Sequence, residues 1–212
     1  PMLAARSATV LAGCQHVHEM PQMGGLRLKM PLTAATMLIG VIAISGLAIP
    51  GSAAILGETL AFSGYHSKDA IVATALAYTQ LNSTHILLFV VPLITAGLTA
   101  FYMFRLWFMT FSGEPRDEHV YEHAHENPWV MVGPLFVLSI LAATCAVGGE
   151  SGLLYKLLAF SDSVPAGAVS ASTNPVQLAL PTHAQVHDVH APAGGLALLA
   201  ALIGEGLSSV LY

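Results

Sequence analysis

Apolar positions run in long stretches separated by short clusters of charge. There are 28 uncharged residues between Lys29 and Glu58, 35 between Asp69 and Arg105, and 23 between Glu126 and Glu150. About 20 apolar residues cross the hydrocarbon core of a bilayer, so each gap is long enough for a membrane helix. The pattern predicts a helix end over residues 1–13 and a helix from 32 to 49. Pro31 opens the latter, where a missing N–H costs nothing, and Pro50-Gly51-Ser52 closes it. Residues 53–62 are apolar except for Glu58, residues 63–69 are polar, and a helical pattern resumes at Ala70. Residues 32–81 therefore read as one discontinuous helix, broken around Pro50 to Lys68. Irregular backbone at membrane depth is tolerated only where protein or a water-filled cavity surrounds it. Further helices are predicted over 85–111, with Pro92 near the start and Arg105 inside, and over 128–148, where Trp129 suits the interfacial belt. A last, weaker candidate at 193–212 is interrupted by Glu205. Residues 161–192 are rich in Ala, Ser, Pro and His without a clear period and read as an extramembrane linker. The expected fold class is all-α, a polytopic membrane helix bundle in one membrane domain.

Composition sharpens this picture. Only 9% of the 212 residues are charged, where a soluble domain carries about 25%. Hydrophobic residues make up 55%, and the mean hydropathy is +0.68. That much apolar surface excludes disorder for most of the chain. Two cysteines, Cys14 and Cys145, exclude a disulfide scaffold. Seven Lys and Arg against 12 Asp and Glu exclude nucleic acid as a partner and leave the lipid bilayer. Residue 1 is Pro, and residues 1–13 lack the basic segment of a signal peptide. The sequence is accordingly expected to be the C-terminal piece of a longer membrane protein. If 32–81 crosses once, loops 14–30 and 112–126 share a side and carry Arg27, Lys29 and Arg116, against Lys156 opposite. The excess of basic residues assigns the first side to the cytoplasm.

Lys68 is the sharpest chemical feature. It lies between two long apolar stretches, beside a helix break. A lysine there loses hydration, which disfavours its charged form and suits a group that loads and releases a proton. Its other reading is a loop lysine near the surface. Asp69 either neighbours the proton path or caps the helix expected at Ala70. Arg105 either snorkels to the interface or joins the path. Glu205 sits at depth as a relay carboxylate, lies near a helix end, or meets another helix through Gly204 and Gly206. The histidine groups His119, His123, His125 and His183, His187, His190 lack the HExxH pattern and cysteine partners. They read as solvated side chains in loop-like segments, and no metal site is expected. The chain has no phosphate-cradling glycine loop, CxxC pair or nucleophile elbow.

Three ordered segments carry a resemblance: MGGLRLKMP (23–31), FSGYHSKDAI (62–71) and TAFYMFRLWFMTFSGEPR (99–116), with HAHENPWVMVGPL (123–135) after them. They resemble the large antiporter-like subunits of respiratory complex I, the NADH–quinone oxidoreductase subunit L family. The resemblance implies a bundle with a pair of inverted repeats, of which this chain holds part of the second. It implies that Lys68 is the lysine of the second broken helix, on the exit side of a hydrated proton path, and that Asp69 is its acidic neighbour. His16 falls where the family often has a histidine pair, but Cys14-Gln15-His16 keeps only one of the two. The stretch from Pro31 to Lys68 is longer than the family implies, and residues 53–62 read as the insertion.

By the same resemblance the chain is a proton-translocating subunit of an enzyme complex. It carries no redox centre or cofactor itself, and NADH, FMN, iron–sulfur clusters and quinone belong to other subunits. Its expected partners are the other membrane-arm subunits of complex I, and its expected place is the bacterial plasma membrane. Two alternatives stand beside this reading: an Mrp-type sodium/proton antiporter subunit, and a truncated piece that transports nothing.

Overall fold

In the computed structural model of the chain, the residues described are 20, 23–48, 61–144, 181 and 183–212. Helix α1 spans Pro31–Ser45, α2 Ser63–Leu81, α3 Leu87–Phe111, α4 Glu118–His123, α5 Trp129–Thr144 and α6 His183–Leu211. Short 3-10 turns occupy Leu26–Leu28 and Ser83–His85. Ser83–Phe111 and Ala184–Leu211 are long and apolar enough to cross a membrane. At 15 residues, α1 is roughly 22 Å long and falls short of a hydrocarbon core about 30 Å thick. It is one part of a crossing, as a broken helix requires.

Local chemistry explains where α1 begins and ends. Pro31 stands at its first position. The N–H groups of Leu32 and Thr33 donate to the carboxylate of Glu126, which also accepts from the Thr33 hydroxyl. Thus a distant residue caps a helix that has no side-chain cap of its own. At the other end Gly46 takes a left-handed conformation, φ 72°. Its N–H donates to Ala43, and the Leu47 N–H reaches back to Ile42. This is the Schellman arrangement, and it stops α1 beside the start of α2.

Packing fixes the depth of that stop. Trp107, late in α3, donates its indole N–H to the Ala34 carbonyl, early in α1, at 3.2 Å. Val41 and Leu47 share a buried cluster with Ala100, Met103 and Phe104 of α3 and Ala201 of α6. The two helices are therefore antiparallel, and the end of α1 lies against the middle of α3. Helix α6 packs on α3 through small residues. A Cβ on Gly204 would come within 2.2 Å of the Gly97 carbonyl. Ala193, Ala197, Ala201 and Ser208 are buried along the same face. Small residues at this spacing let helix backbones approach closely in lipid. The outward surfaces are apolar, with Val91, Ile94, Val137, Ile140, Leu199 and Ile203 all exposed. Such a surface suits a lipid solvent and not water.

The structure moves three sequence boundaries. The helix after the break begins at Ser63, not Ala70, so Lys68 and Asp69 lie inside α2 and not in a loop. The last helix begins at His183, not 193, so residues 183–192 are helical and not linker, with Pro192 accommodated inside. The polar loop 112–126 contains the short helix α4, whose N-cap Asp117 accepts from the His119 N–H at 3.0 Å. The predicted helix end at 1–13, most of the insertion at 53–62 and the greater part of the linker at 161–192 lie outside the described residues.

Candidate functional site

The site is built where α1 stops and α2 starts. An α-helix leaves its last carbonyls without partners. At the end of α1, the Gly46 and Leu47 N–H groups satisfy two of them. The Ser45 carbonyl instead accepts from the Lys68 Nζ at 3.0 Å. The negative end of the helix dipole adds to this contact, since cations are stabilised at helix C-termini. Lys68 is half-buried. Its reach depends on two glycines. A Cβ on Gly64 would lie 2.0 Å from the Ala43 carbonyl, and one on Gly46 would lie 2.8 Å from Lys68 Cδ. Without side chains there, the start of α2 presses against the last turn of α1.

Asp69, one residue on, points elsewhere. Neighbours on a helix are about 100° apart and do not face each other. Its side chain is 4% exposed, and Oδ2 lies 3.0 Å from His190 Nδ1 on α6. Oδ1 is buried with no hydrogen-bond partner among the described residues. Gly194 lets α6 come this close: a Cβ there would sit 2.7 Å from Asp69 Oδ1 and 2.9 Å from the Tyr65 hydroxyl. Tyr65 and His66 lie one turn before Asp69 on α2. The N-cap reading of Asp69 is thereby corrected, because Phe62 is the N-cap of α2.

The other candidates lie apart. Arg105 stacks over the Tyr212 ring, 4.8 Å from its centroid, near the end of α3. It is exposed there, away from the Lys68–Asp69 region. Glu205 is partly buried six residues before the end of α6. Gly204 beside it makes the helix contact, while a Cβ on Gly206 would meet nothing within 4 Å. His16 lies outside the described residues. His190 was missed as a site residue, since the sequence reading left it in a solvated histidine group. The available signal was the alanine and glycine spacing that continues backward from Ala201 through Ala197, Ala193 and Val189 on one helical face. Among the described residues, no group of three or more His, Cys, Asp and Glu side chains is arranged to hold a metal.

Residues 2–83 match the family described as NADH:quinone oxidoreductase/Mrp antiporter, transmembrane. Over 140 residues the chain is 44% identical to the NADH-quinone oxidoreductase subunit L of Rhodobacter capsulatus, an alignment covering 66% of this chain and 19% of that protein. It is 36% identical over 152 residues to the F(420)H(2) dehydrogenase subunit L of Methanosarcina mazei, covering 72% and 21% respectively. Over 239 aligned positions it is 30% identical to the NAD(P)H-quinone oxidoreductase chain 5 of a Picosynechococcus strain, covering 100% of this chain and 32% of that protein. The chain thus spans between 19% and 32% of the length of these relatives.

Proposed function

Since the chain belongs to the NADH:quinone oxidoreductase/Mrp antiporter family of membrane subunits, we propose that it carries part of a proton path in a respiratory complex I, with Lys68 as the group that loads and releases the proton. The carrying observation is the contact between Lys68 Nζ and the Ser45 carbonyl at the helix break. The open carbonyl and the negative end of α1 hold the ammonium at the break, and a change in a nearby charge alters that hold. A positive charge arriving on a neighbouring lysine repels the ammonium and drives its proton off. Asp69, on the next face of α2, receives it on the way out.

Electron chemistry lies in other subunits. The relatives bear the names of NADH-, NAD(P)H- and F(420)H(2)-oxidising enzymes. A membrane subunit shared by enzymes with different electron donors is suited to the ion side of the reaction. NADH, FMN, iron–sulfur clusters and quinone are accordingly placed in partner subunits, and the other membrane-arm subunits are the partners of this chain. The bacterial plasma membrane is the location proposed for it.

Native electrophoresis of detergent-solubilised source membranes tests this assignment. An antibody to residues 114–126 locates the chain, and the same lane is stained for NADH oxidation. Migration in one very large NADH-oxidising band is the expected result. Migration in a smaller band without that activity would instead favour the Mrp-type antiporter reading.

A further inference from the structure

We propose that His190 is the relay through which Asp69 exchanges its proton with the medium, and so forms the outer end of the path. The inference rests on the proton-path reading above and adds a residue that lies outside the Lys68–Asp69 motif. Three observations carry it. Asp69 is buried, yet its Oδ2 lies 3.0 Å from His190 Nδ1. The His190 side chain is 47% exposed against 4% for Asp69, so one imidazole joins a closed carboxylate to the surface of this chain. Asp69 Oδ1 has no hydrogen-bond partner among the described residues, so the carboxyl group is not locked into a closed network there.

An imidazole has two nitrogens that can each carry a proton. In neutral His190 with its proton on Nε2, Nδ1 accepts the proton of the Asp69 carboxyl. The products are a carboxylate and an imidazolium. Nε2 then releases its own proton to water, which restores a neutral ring with the proton on Nδ1. One proton has entered and one has left, and rotation of the ring or exchange through water returns the starting tautomer. The groups around it are consistent with this role. From α2 it is faced by Asp69, with Tyr65 and His66 one turn earlier. On its own helix His187 and Asp188 precede it within a turn. The charged residue of α3, Arg105, is at the far end of α6 with Tyr212.

The direction of the relay also follows from the packing. Val186 of α6, Leu76 of α2 and Phe89 of α3 all pack against one buried cluster, Val72, Ala73, Ala193 and Ala197. The start of α6 therefore lies at the end of the bundle where the Ser83–His85 turn joins α2 to α3. Loop 112–126 follows the opposite end of α3. A proton passing from Lys68 to Asp69 to His190 moves from the middle of α3 toward the side away from that loop.

The test uses the complete complex in proteoliposomes, with NADH oxidation and protons moved per NADH measured together. His190→Asn retains a donor near the position of Nδ1 but cannot carry a proton through. It is expected to assemble, to lose protons per NADH, and to recover them when free imidazole is added, since the His190 side chain is 47% exposed in this chain. His190→Ala should behave likewise. Unchanged pumping in His190→Asn, while Lys68→Ala loses pumping, would overturn the relay and leave the Lys68 reading standing. A loss that imidazole does not restore would make His190 a packing residue and also overturn the relay. Unchanged pumping in Lys68→Ala would instead overturn the reading on which the inference rests.

Discussion

The Lys68 ammonium donates to the Ser45 carbonyl at 3.0 Å, linking the start of α2 to the unpaired end of α1. Ser45 contributes through its backbone and not its hydroxyl, whose Oγ is buried without a partner among the described residues. The break therefore acts as an electrostatic socket made of main chain. Its depth is set by Leu47 and Val41 packing against Ala100 and Phe104 in the middle of α3.

The socket depends on two glycines. Gly64→Ala places a methyl group 2.0 Å from the Ala43 carbonyl, in backbone that cannot yield cheaply. Overpacking of this kind costs about 1–3 kcal/mol. Gly46→Ala strains a left-handed residue by about 1–2 kcal/mol and crowds Lys68 Cδ. Both variants should lower the thermal stability of the assembled complex, and Gly64→Ala should also lower pumping. Wild-type melting and pumping in Gly64→Ala would contradict the close α1–α2 contact.

Glu126 should prove a cap. It receives the Leu32 N–H at 2.9 Å and the Thr33 N–H at 3.4 Å. Removing a helix cap costs about 1 kcal/mol, and the negative charge at a helix N-terminus adds to this. Glu126→Ala should therefore destabilise the complex in a thermal melt, while Glu126→Gln, which keeps an acceptor, should cost less. A Glu126→Ala complex that melts like the parent would contradict the cap.

Gly204→Leu should separate α6 from α3, since the space a Cβ needs is filled by the Gly97 carbonyl. Cysteines placed at Phe101 and Tyr212, whose ring centroids are 6.4 Å apart, should be joined by a bifunctional thiol reagent in the parent protein and lose that crosslink in Gly204→Leu. Crosslinking that survives the leucine would contradict this packing.

Trp107→Phe removes the indole donor to Ala34 and keeps most of the ring. The lost hydrogen bond is worth about 1 kcal/mol. A corresponding fall in melting temperature is expected, with little change in pumping, because Trp107 lies far along α1 from the break.

The sequence pattern revealed the part of the fold that depends on long apolar runs and strong breakers. Pro31 marked the start of the first half-helix, and the apolar run into Arg105 marked α3; the end of the half-helix falls at Ser45 and the Gly46 cap, four residues before the predicted end at 49. Lys68 stood out because a lone cation beside a break is chemically unusual. Two features were hidden for physical reasons. Residues 63–69 are polar, yet helical, because one side of this turn docks on α1 through Gly64 and Lys68, which hydropathy does not register. Residues 183–192 combine histidines with Pro192, and both suggest a linker. A proline removes only one intrahelical hydrogen bond, and packing of Val186, Val189 and Ala193 on α2 and α3 keeps this segment helical. The Asp69–His190 pair joins residues more than a hundred positions apart, and neither carries a motif that names the other. Glu126 lies 94 positions from Leu32 in the helix it caps.

The most direct test of the central claim is proton pumping by the complete complex carrying Lys68→Ala or Lys68→Arg, measured as protons moved per NADH oxidised, with assembly checked by native electrophoresis. Arginine keeps the positive charge at the Ser45 carbonyl but effectively never releases its proton. The account predicts assembled complexes that pump less in both variants. Assembled complexes with unchanged protons per NADH would contradict it.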